Sequence, residues 1–404
     1  MHELLLLSRR GTSGRYVMDH LNRYRRVWAF FRWALGPWLR HKFNYKPELC
    51  GAEGPFLVLA NHNTDWDPLL LALAFPKYMS FVASEHIFRW GFAAKLIIFL
   101  LNPIARLKGT TAGDTAMTML RRLKKGVNVA MFAEGNRSFN GLTGTILPAT
   151  GKLARSSGAG LVTYRFDGGY FTSPRWSGSK IRRGKITGRV VNVYTAEQLK
   201  AMSAAEVNEA ICRDLFVDAY AVQREEMVPF KGKALAEGLE TLLCRCPKCG
   251  RLDTMHSAGD TLSCDCGFSV RYNACGFLEG EDAPFDNLTD WDEAQTAALI
   301  ALADGVPDND TPIFSDDGMV LTEILPGHET KEAGTGSMTL YADRLECCGT
   351  TFPLAELGGF MLHGPQTADM STADGRCFEI SSPLRRCTRK YMTVIDHLRT
   401  GVRV

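Results

Sequence analysis

The sequence lacks a long apolar run. No stretch reaches the roughly 18–20 uninterrupted apolar residues that a membrane-spanning helix needs. The longest candidate, residues 92–104, is interrupted by Lys95 and stopped by Pro103. A secretory leader is also missing, because the leucine run at residues 4–7 is too short and two arginines follow it instead of preceding it. The sequence therefore predicts a protein that is neither secreted nor transmembrane.

Lysine and arginine are absent from residues 276–330, which hold fourteen Asp and Glu side chains. Residues 1–46, in contrast, hold ten Lys and Arg against two acidic residues. This asymmetry indicates different partners for the two ends of the chain. The composition, 45% hydrophobic and 23% charged over 404 residues, excludes a disordered or low-complexity protein. At roughly 150 residues per domain, the length suggests two or three domains.

Aromatic and cationic residues alternate in the N-terminal segment, residues 18–46. Tryptophan suits the headgroup depth of a bilayer and arginine meets anionic lipid, so the pattern predicts one or two amphipathic helices on a membrane surface. Pro37 is expected to kink or end the first helix. The alternative is a helix packed on the protein core with its arginines in solvent. The aromatic and apolar residues are Val27, Trp28, Phe30, Phe31, Trp33, Leu35, Trp38 and Leu39, and the cations are Arg23, Arg25, Arg26, Arg32 and Arg40.

Short apolar strands alternate with helices from Pro55 onward, which predicts an α/β sheet. The expected strands are residues 56–60, 79–83, 128–132, 161–166 and 189–194, with a helix near 204–221. Residues 313–404 have the pattern of short strands, turns and one closing helix. Five segments are predicted: amphipathic membrane-surface helices over 1–50, an α/β domain over 51–238, a cysteine-rich ribbon over 239–275, an acidic linker with a helix over 276–312, and a β-rich domain over 313–404.

A first polar cluster, residues 61–68, follows the strand 56–60 and opens a helix. A strand-to-helix turn places side chains at the sheet edge, where α/β proteins bind ligands. His62 and Asp67 are five residues apart, so the turn can bring the carboxylate back to one imidazole nitrogen and leave the other free to take a proton. No serine or cysteine nucleophile lies nearby, which favours direct base catalysis on a substrate hydroxyl. A capping aspartate beside a structural histidine is the alternative.

A second polar cluster follows the strand 128–132, again at a strand end. It offers a carboxylate, a glycine, a guanidinium and a hydroxyl, and Arg137 could grip a phosphate in a bidentate manner. A third strand, around residues 103–106, ends in Arg106. Polar clusters at three strand ends predict one pocket for an anionic substrate. The second cluster consists of Glu134, Gly135, Asn136, Arg137 and Ser138.

The clusters together resemble the glycerolipid acyltransferase family, the 1-acyl-glycerol-3-phosphate acyltransferases. The resemblance rests on His62-x4-Asp67, Arg106 after an apolar pair, Glu134-Gly-x-Arg137-Ser138 and the later strand at 161–164, and it covers about residues 20–230. It implies transfer of a fatty acyl group from acyl-CoA or acyl-carrier protein to the hydroxyl of lysophosphatidic acid or a related lysolipid, in phospholipid synthesis. It also implies an α/β fold with an N-terminal helical pair on the membrane, hence a peripheral or monotopic protein on the cytoplasmic side.

The resemblance assigns a role to each matching residue. His62 would be the general base and Asp67 its orienting partner. Two positions depart from the family pattern: residues 162–164 lack the usual proline, and Asn136 stands where threonine is common. The acceptor therefore stays open, and an acyltransferase acting on another acceptor, such as a lysophospholipid or a glycolipid, is the alternative. The residues expected to hold its glycerol phosphate are Arg106, Glu134, Gly135, Arg137 and Ser138.

Four cysteines form two turns separated by fourteen residues, each with a glycine after its second cysteine. Four thiolates satisfy a tetrahedral structural zinc, and the segment resembles a zinc ribbon too small to fold without metal or a neighbour. The C-x-C half is tight, so Cys244 and Cys275 remain possible substitutes, and redox-active thiols are the alternative. The predicted zinc ligands are Cys246, Cys249, Cys264 and Cys266.

Two functions of other classes compete with the enzyme. The α/β domain could dock the ribbon and the β-rich tail at a membrane for a protein partner. An intact His62, Asp67, Glu134 and Arg137 argues against this scaffold, because binding alone does not need the whole set. The ribbon could instead bind nucleic acid, but the acidic stretch that follows it would repel a phosphate backbone. No nucleic-acid partner is therefore expected.

Overall fold

The computed structural model of the chain describes residues 14–84, 92–106, 112–178, 180–281, 283–325 and 329–400. The chain divides into two compact units. The leucine run at residues 4–7 and the two arginines after it lie outside the described residues. The first unit comprises residues 1–138, 142–172 and 183–228, and the second comprises residues 139–141, 173–182 and 229–404.

A seven-stranded mixed sheet organises the first unit. Its strands are β1 (Tyr45–Pro47), β2 (Phe56–Ala60), β3 (Met79–Ser84), β4 (Ile104–Arg106), β5 (Asn128–Phe132), β6 (Gly160–Asp167) and β7 (Ile186–Tyr194). They lie in the order β1-β7-β6-β2-β5-β3-β4. Neighbouring strands run parallel except β6 and β7, which are antiparallel. The central strand β2 is apolar and buried along its whole length, as expected of a parallel strand covered on both faces.

Helices connect these strands and cover the sheet. One expectation is wrong: the helix predicted near 204–221 is two helices, because Asp218 accepts hydrogen bonds from the backbone N–H groups of Tyr220 and Ala221 and starts a new helix there. The helices are α1 (Gly14–Ala34), α2 (Gly36–Phe43), α3 (Asp67–Ala74), α4 (Phe92–Leu101), α5 (Ala112–Lys124), α6 (Pro148–Ser156), α7 (Gly169–Thr172), α8 (Ala196–Ala201), α9 (Ala204–Leu215) and α10 (Ala219–Glu226).

The N-terminal helices α1 and α2 have one buried and one exposed face. Trp28 is buried, and its indole N–H donates to the carbonyl of Phe75 at 3.0 Å. Trp33 and Trp38 are 76% and 49% exposed. Pro37 lies in the first turn of α2, where its missing N–H costs no helical hydrogen bond. Within the described parts of the chain, no helix has both the length and the apolar character needed to cross a bilayer.

The second unit is built mainly of antiparallel strands. A small sheet contains β8 (Met255–Ala258), β9 (Thr261–Cys264), β10 (Ser269–Tyr272) and β11 (Leu278–Glu279), and a larger one contains β12 (Phe314–Ile324), β13 (Thr330–Leu340), β14 (Arg344–Cys347), β15 (Thr350–Pro353), β16 (Leu357–His363), β17 (Thr367–Thr372) and β18 (Cys377–Ser381). The larger sheet has the order β15-β14-β13-β12-β18-β17-β16. Two helices belong to this unit, α11 (Leu288–Asp304) and α12 (Arg389–Thr400). The predicted fold class, an α/β domain with a β-rich C-terminal region, is confirmed.

The register of β2 and β5 determines where the polar clusters meet. Ala60 pairs with Phe132, so the two strands end side by side. His62 comes two residues after the end of β2, and Glu134 comes two residues after the end of β5. Because parallel strands point the same way, both turns lie at one edge of the sheet.

Candidate active site

His62 and Asp67 form a hydrogen-bonded pair at the start of α3. The distance from His62 Nδ1 to Asp67 Oδ2 is 2.9 Å. Asp67 is 1% exposed, and the same Oδ2 accepts the backbone N–H groups of Asn63 at 2.6 Å and Thr64 at 2.9 Å. Its other oxygen, Oδ1, accepts the Thr64 hydroxyl at 2.6 Å. Each of these donors stabilises the ionised carboxylate, and together they fix its position.

The ring of His62 is held in one orientation. It stacks on Phe132 with a centroid distance of 4.2 Å and an interplanar angle of 20°. An ionised Asp67 accepts only, so Nδ1 carries the proton and Nε2 holds a lone pair. Among the described residues, Nε2 of His62 has no hydrogen-bond partner, and the side chain is partly exposed. The pair can therefore accept a proton from a group that approaches Nε2.

Glu134 faces the backbone of the neighbouring turn. Its Oε1 accepts the N–H of His62 at 2.6 Å, and its Oε2 accepts the N–H of Gly144 at 2.7 Å. Burial raises the pKa of Glu134 to about 8, although the two backbone donors act in the opposite direction. The resemblance implies a contact between this carboxylate and the glycerol phosphate, whereas both oxygens are engaged with the protein.

Arg137 and Arg106 supply positive charge beside this turn. Arg137 is 7% exposed, its Nε lies 3.3 Å from an oxygen of Asp65, and its buried Nη1 has no hydrogen-bond partner among the described residues. A Cβ atom built on Gly135, whose φ is +73°, would lie 3.1 Å from Nη1 of Arg106. Glycine at this position therefore permits both the turn and the approach of Arg106. A buried guanidinium with an unused donor is suited to bind an anion.

Ser138 stabilises the turn with both of its polar groups. Its hydroxyl donates to the carbonyl of Leu142 at 2.7 Å, and its backbone N–H donates to the carbonyl of His62 at 2.8 Å. The structure thus brings together His62, Asp67, Glu134, Gly135, Arg137 and Ser138, with Arg106 beside Gly135. The hydroxyl of Ser138 makes a hydrogen bond within its own loop, whereas the resemblance implies that it binds substrate.

Two residues of the first polar cluster make contacts that the sequence reasoning does not predict. Asn61 donates from Nδ2 to the carbonyl of Phe166 at 2.9 Å and accepts the N–H of Phe166 at 2.8 Å, which ties the end of β2 to β6. Asp65 pairs with Arg137 while remaining exposed. Asn61 is the first polar residue after a buried strand, and this position is the only feature of the sequence that points to its contact with Phe166. Asp65 lies between the two residues of the His-x4-Asp motif, and nothing in the sequence around it indicates the pairing with Arg137.

The four predicted zinc ligands lie together in the second unit. All four sulfur atoms are within 4.8 Å of one another. The Sγ–Sγ distances are 3.7 Å between Cys246 and Cys266 and 3.8 Å between Cys249 and Cys264. A tetrahedron of sulfurs about 2.3 Å from a zinc ion has edges of about 3.8 Å, so the arrangement is compatible with a zinc ribbon.

The alternative ligand Cys244 lies apart from this group. Its Sγ is 3.6 Å from Oε1 of Gln295, and its backbone N–H donates to the same oxygen. Cys275 is likewise not among the grouped cysteines. The geometry therefore favours the four ligands predicted from the two turns.

One family model and several solved structures match parts of the chain. Residues 41–169 match the family model described as Acyltransferase. Among solved structures, the chain is similar to the 1-acyl-sn-glycerophosphate (LPA) acyltransferase PlsC from Thermotoga maritima, at 19% identity and a TM-score of 0.40. That similarity covers 56% of this chain and 88% of the other. No curated protein matches the chain.

Proposed function

We propose that the protein transfers a fatty acyl group from a thioester to the hydroxyl of lysophosphatidic acid or a related lysolipid, because residues 41–169 match the family model described as Acyltransferase. The donor would be acyl-CoA or acyl-carrier protein, and the product a phospholipid precursor. The observation that carries the proposal is the His62 ring, fixed by Asp67 on one side and open at Nε2 on the other.

In the proposed reaction, Nε2 of His62 removes the proton from the acceptor hydroxyl as its oxygen attacks the thioester carbonyl. The new C–O bond forms, the tetrahedral intermediate collapses, and the C–S bond breaks. The imidazolium returns the proton to the leaving thiolate, so the thiol is released neutral and His62 is regenerated. Asp67 stabilises the imidazolium between the two proton transfers.

The acceptor phosphate would bind at Arg137 and Arg106. The unused Nη1 of Arg137 is a donor whose burial strengthens its attraction for an anion. Asp65 lies 3.3 Å from Nε of the same guanidinium. With the phosphate fixed there, the free hydroxyl of the glycerol can be oriented toward His62, which lowers the entropic part of the barrier.

Replacement of Arg137 by alanine should raise the KM for lysophosphatidic acid by about 10- to 100-fold, because the acceptor phosphate loses one charged hydrogen bond. The effect on kcat should be smaller. The measurement is initial rates over a range of acceptor concentration in mixed micelles at a fixed concentration of oleoyl-CoA. Arg121→Ala, which removes an exposed arginine of α5, is the matched control. An unchanged acceptor KM in Arg137→Ala would remove this residue from the phosphate site.

The membrane surface is the proposed location, on the cytoplasmic side. The exposed apolar side chains of α1 and α2 are those of Phe30, Trp33, Leu35 and Trp38. In the sequence, the exposed Arg26 precedes them and the exposed Arg40 follows them. A lysolipid acceptor resides in a bilayer, so a catalytic domain resting on the membrane would reach it directly. Aromatic side chains next to cations are typical of helices that lie in the interface of anionic membranes.

The double variant Trp33→Ala, Trp38→Ala should bind vesicles of phosphatidylcholine and phosphatidylglycerol at least about tenfold more weakly, because two large apolar side chains no longer insert. Vesicle sedimentation measures this affinity. Phe216→Ala is the matched control, because Phe216 is 55% exposed and lies in the same unit at the end of α9. Equal sedimentation of the double variant and the wild type would contradict the proposed membrane contact.

The four grouped cysteines would hold one structural zinc ion. A site with four thiolates leaves no open position for catalysis, so the ion would stabilise the fold of the second unit. Its role in the proposed enzyme would be structural.

A further inference from the structure

The turn that follows β5 holds the backbone of His62 at both of its polar groups. Glu134 accepts the N–H of His62 at 2.6 Å, and the N–H of Ser138 donates to the carbonyl of His62 at 2.8 Å. These contacts connect the turn after β2 to the turn after β5. The catalytic ring therefore projects from a peptide whose N–H and C=O are both fixed by the same loop.

Glu134 also reaches a third segment. Its second oxygen accepts the N–H of Gly144 at 2.7 Å, and a Cβ atom at Gly144 would lie 3.4 Å from that oxygen. The carboxylate thus bridges the His62 turn and the chain that leads into α6. Glycine at position 144 lets the backbone approach the carboxylate.

A carboxylate in this position is poorly suited to bind a phosphate. When Glu134 is ionised, at a pH above its pKa of about 8, both are anions, and two anions in contact away from water repel each other. Each oxygen of Glu134 already accepts a hydrogen bond from the backbone, so an incoming hydroxyl would have to displace or share one of these bonds. The positive groups suited to the phosphate are those of Arg137 and Arg106.

We infer that Glu134 is a positioning residue, which fixes His62 for proton transfer by bridging its backbone to Gly144, and that it does not contact the acceptor. The inference rests on the proposed function, because it takes His62 to be the base. An ionised Glu134 performs this task with both oxygens. A neutral side chain can accept at one oxygen only and presents a donor to the other N–H group, which breaks one of the two bonds.

The protonation state of Glu134 links this bridge to pH. Its pKa is raised to about 8, first by burial and further by the charge of Asp67, while the N–H groups of Gly144 and His62 lower it. The charged groups around it are Asp67, the His62 ring when protonated, Arg106 beside Gly135, and Arg137. Since the ionised form makes both hydrogen bonds, kcat should rise as the pH increases through about 8.

The test compares Glu134→Gln with wild type in three measurements. We expect kcat to fall by about 10- to 100-fold with the acceptor KM within about twofold, because a displaced base loses rate and the phosphate site remains. We expect faster hydrogen–deuterium exchange at the amides of His62 and Gly144. We also expect the increase in kcat near pH 8 to be present in wild type and absent from the variant. Glu197→Gln, at an exposed position in the first turn of α8, is the matched control.

Two results would overturn the inference. One is a raised acceptor KM with kcat preserved, which identifies Glu134 as a substrate ligand. The other is unchanged amide exchange at His62 and Gly144 in the variant, which shows that no bridge was lost. If Glu134→Gln does not fold, the pH profile of the wild type decides, and a kcat that does not rise between pH 7 and 9 contradicts the inference. Absence of any transfer by the wild type refutes the proposed function separately, since the exchange measurement needs no turnover.

Discussion

His62→Ala should lose acyl transfer almost completely, with kcat reduced by about 100- to 10,000-fold, the range that general-base catalysis contributes. The reason is that Nε2 is the only proton acceptor of the pair that faces the approaching hydroxyl, since Asp67 uses both oxygens within its own turn. Asp67→Asn should also lower kcat, because an amide facing Nδ1 favours the tautomer that carries its proton on Nε2.

The first unit should remain folded in His62→Ala. The contacts that tie this turn to the loop after β5 use the backbone N–H and C=O of His62, and alanine keeps both. The measurement is kcat in mixed micelles together with the thermal unfolding midpoint. His41→Ala, at an exposed histidine of α2, is the matched control. Turnover close to that of the wild type in His62→Ala would refute the proposed mechanism.

Loss of one grouped cysteine should remove the zinc and unfold the small sheet β8–β11. Structural zinc sites of this kind bind with apparent free energies of about 10–16 kcal/mol at neutral pH, which is folding free energy for a sheet of this size. Metal analysis of the purified protein should therefore find about one zinc ion per chain. In Cys249→Ser the zinc content should fall well below that value, and the amides of β8–β11 should exchange faster.

Cys244→Ser and Cys275→Ser are matched controls for this prediction. Both positions lie within the ribbon segment, residues 239–275, but neither sulfur belongs to the group of four. Cys244 contacts Gln295, so its replacement affects a buried hydrogen bond and leaves the four sulfurs in place. A protein without zinc, or zinc loss in Cys275→Ser equal to that in Cys249→Ser, would contradict the assigned ligand set.

The sequence was sufficient to predict the position of the two main polar clusters. Buried apolar strands are short and bounded by polar residues, so β2 and β5 are predicted with the same first and last residues that the structure has. The five-residue separation of His62 and Asp67 made their contact geometrically feasible, and the structure has it. The grouping of the four cysteines follows from the spacing of two turns and is likewise present.

The direction in which each side chain points could not be predicted. The family resemblance makes Glu134 a ligand of the glycerol phosphate. Its actual partners depend on the pairing of Ala60 with Phe132 and on the path of the chain at Gly144. The two hydrogen bonds between Asn61 and Phe166 depend in the same way on the pairing of β2 with β6. Strand neighbours are tertiary information that local patterns do not contain.

The division of the predicted helix near 204–221 has a local cause that could have been recognised. Asp218 precedes Ala219 and Tyr220, and an aspartate before helix-forming residues is a preferred N-cap. Its side chain accepts two backbone N–H groups, which makes a new helix start more favourable than a continuous helix. The apolar periodicity on both sides concealed this boundary.

The central claim is that the protein esterifies a phosphate-bearing lysolipid at the His62 site. The most direct test is the rate of ester formation by the purified wild type from labelled oleoyl-CoA, and separately from oleoyl acyl-carrier protein, with lysophosphatidic acid and with monoacylglycerol as acceptors. We predict that phosphatidic acid forms with at least one donor, and that monoacylglycerol, which has no group for Arg137, is acylated about tenfold or more slowly at equal concentration. Absence of an ester product with either donor and either acceptor would contradict the account.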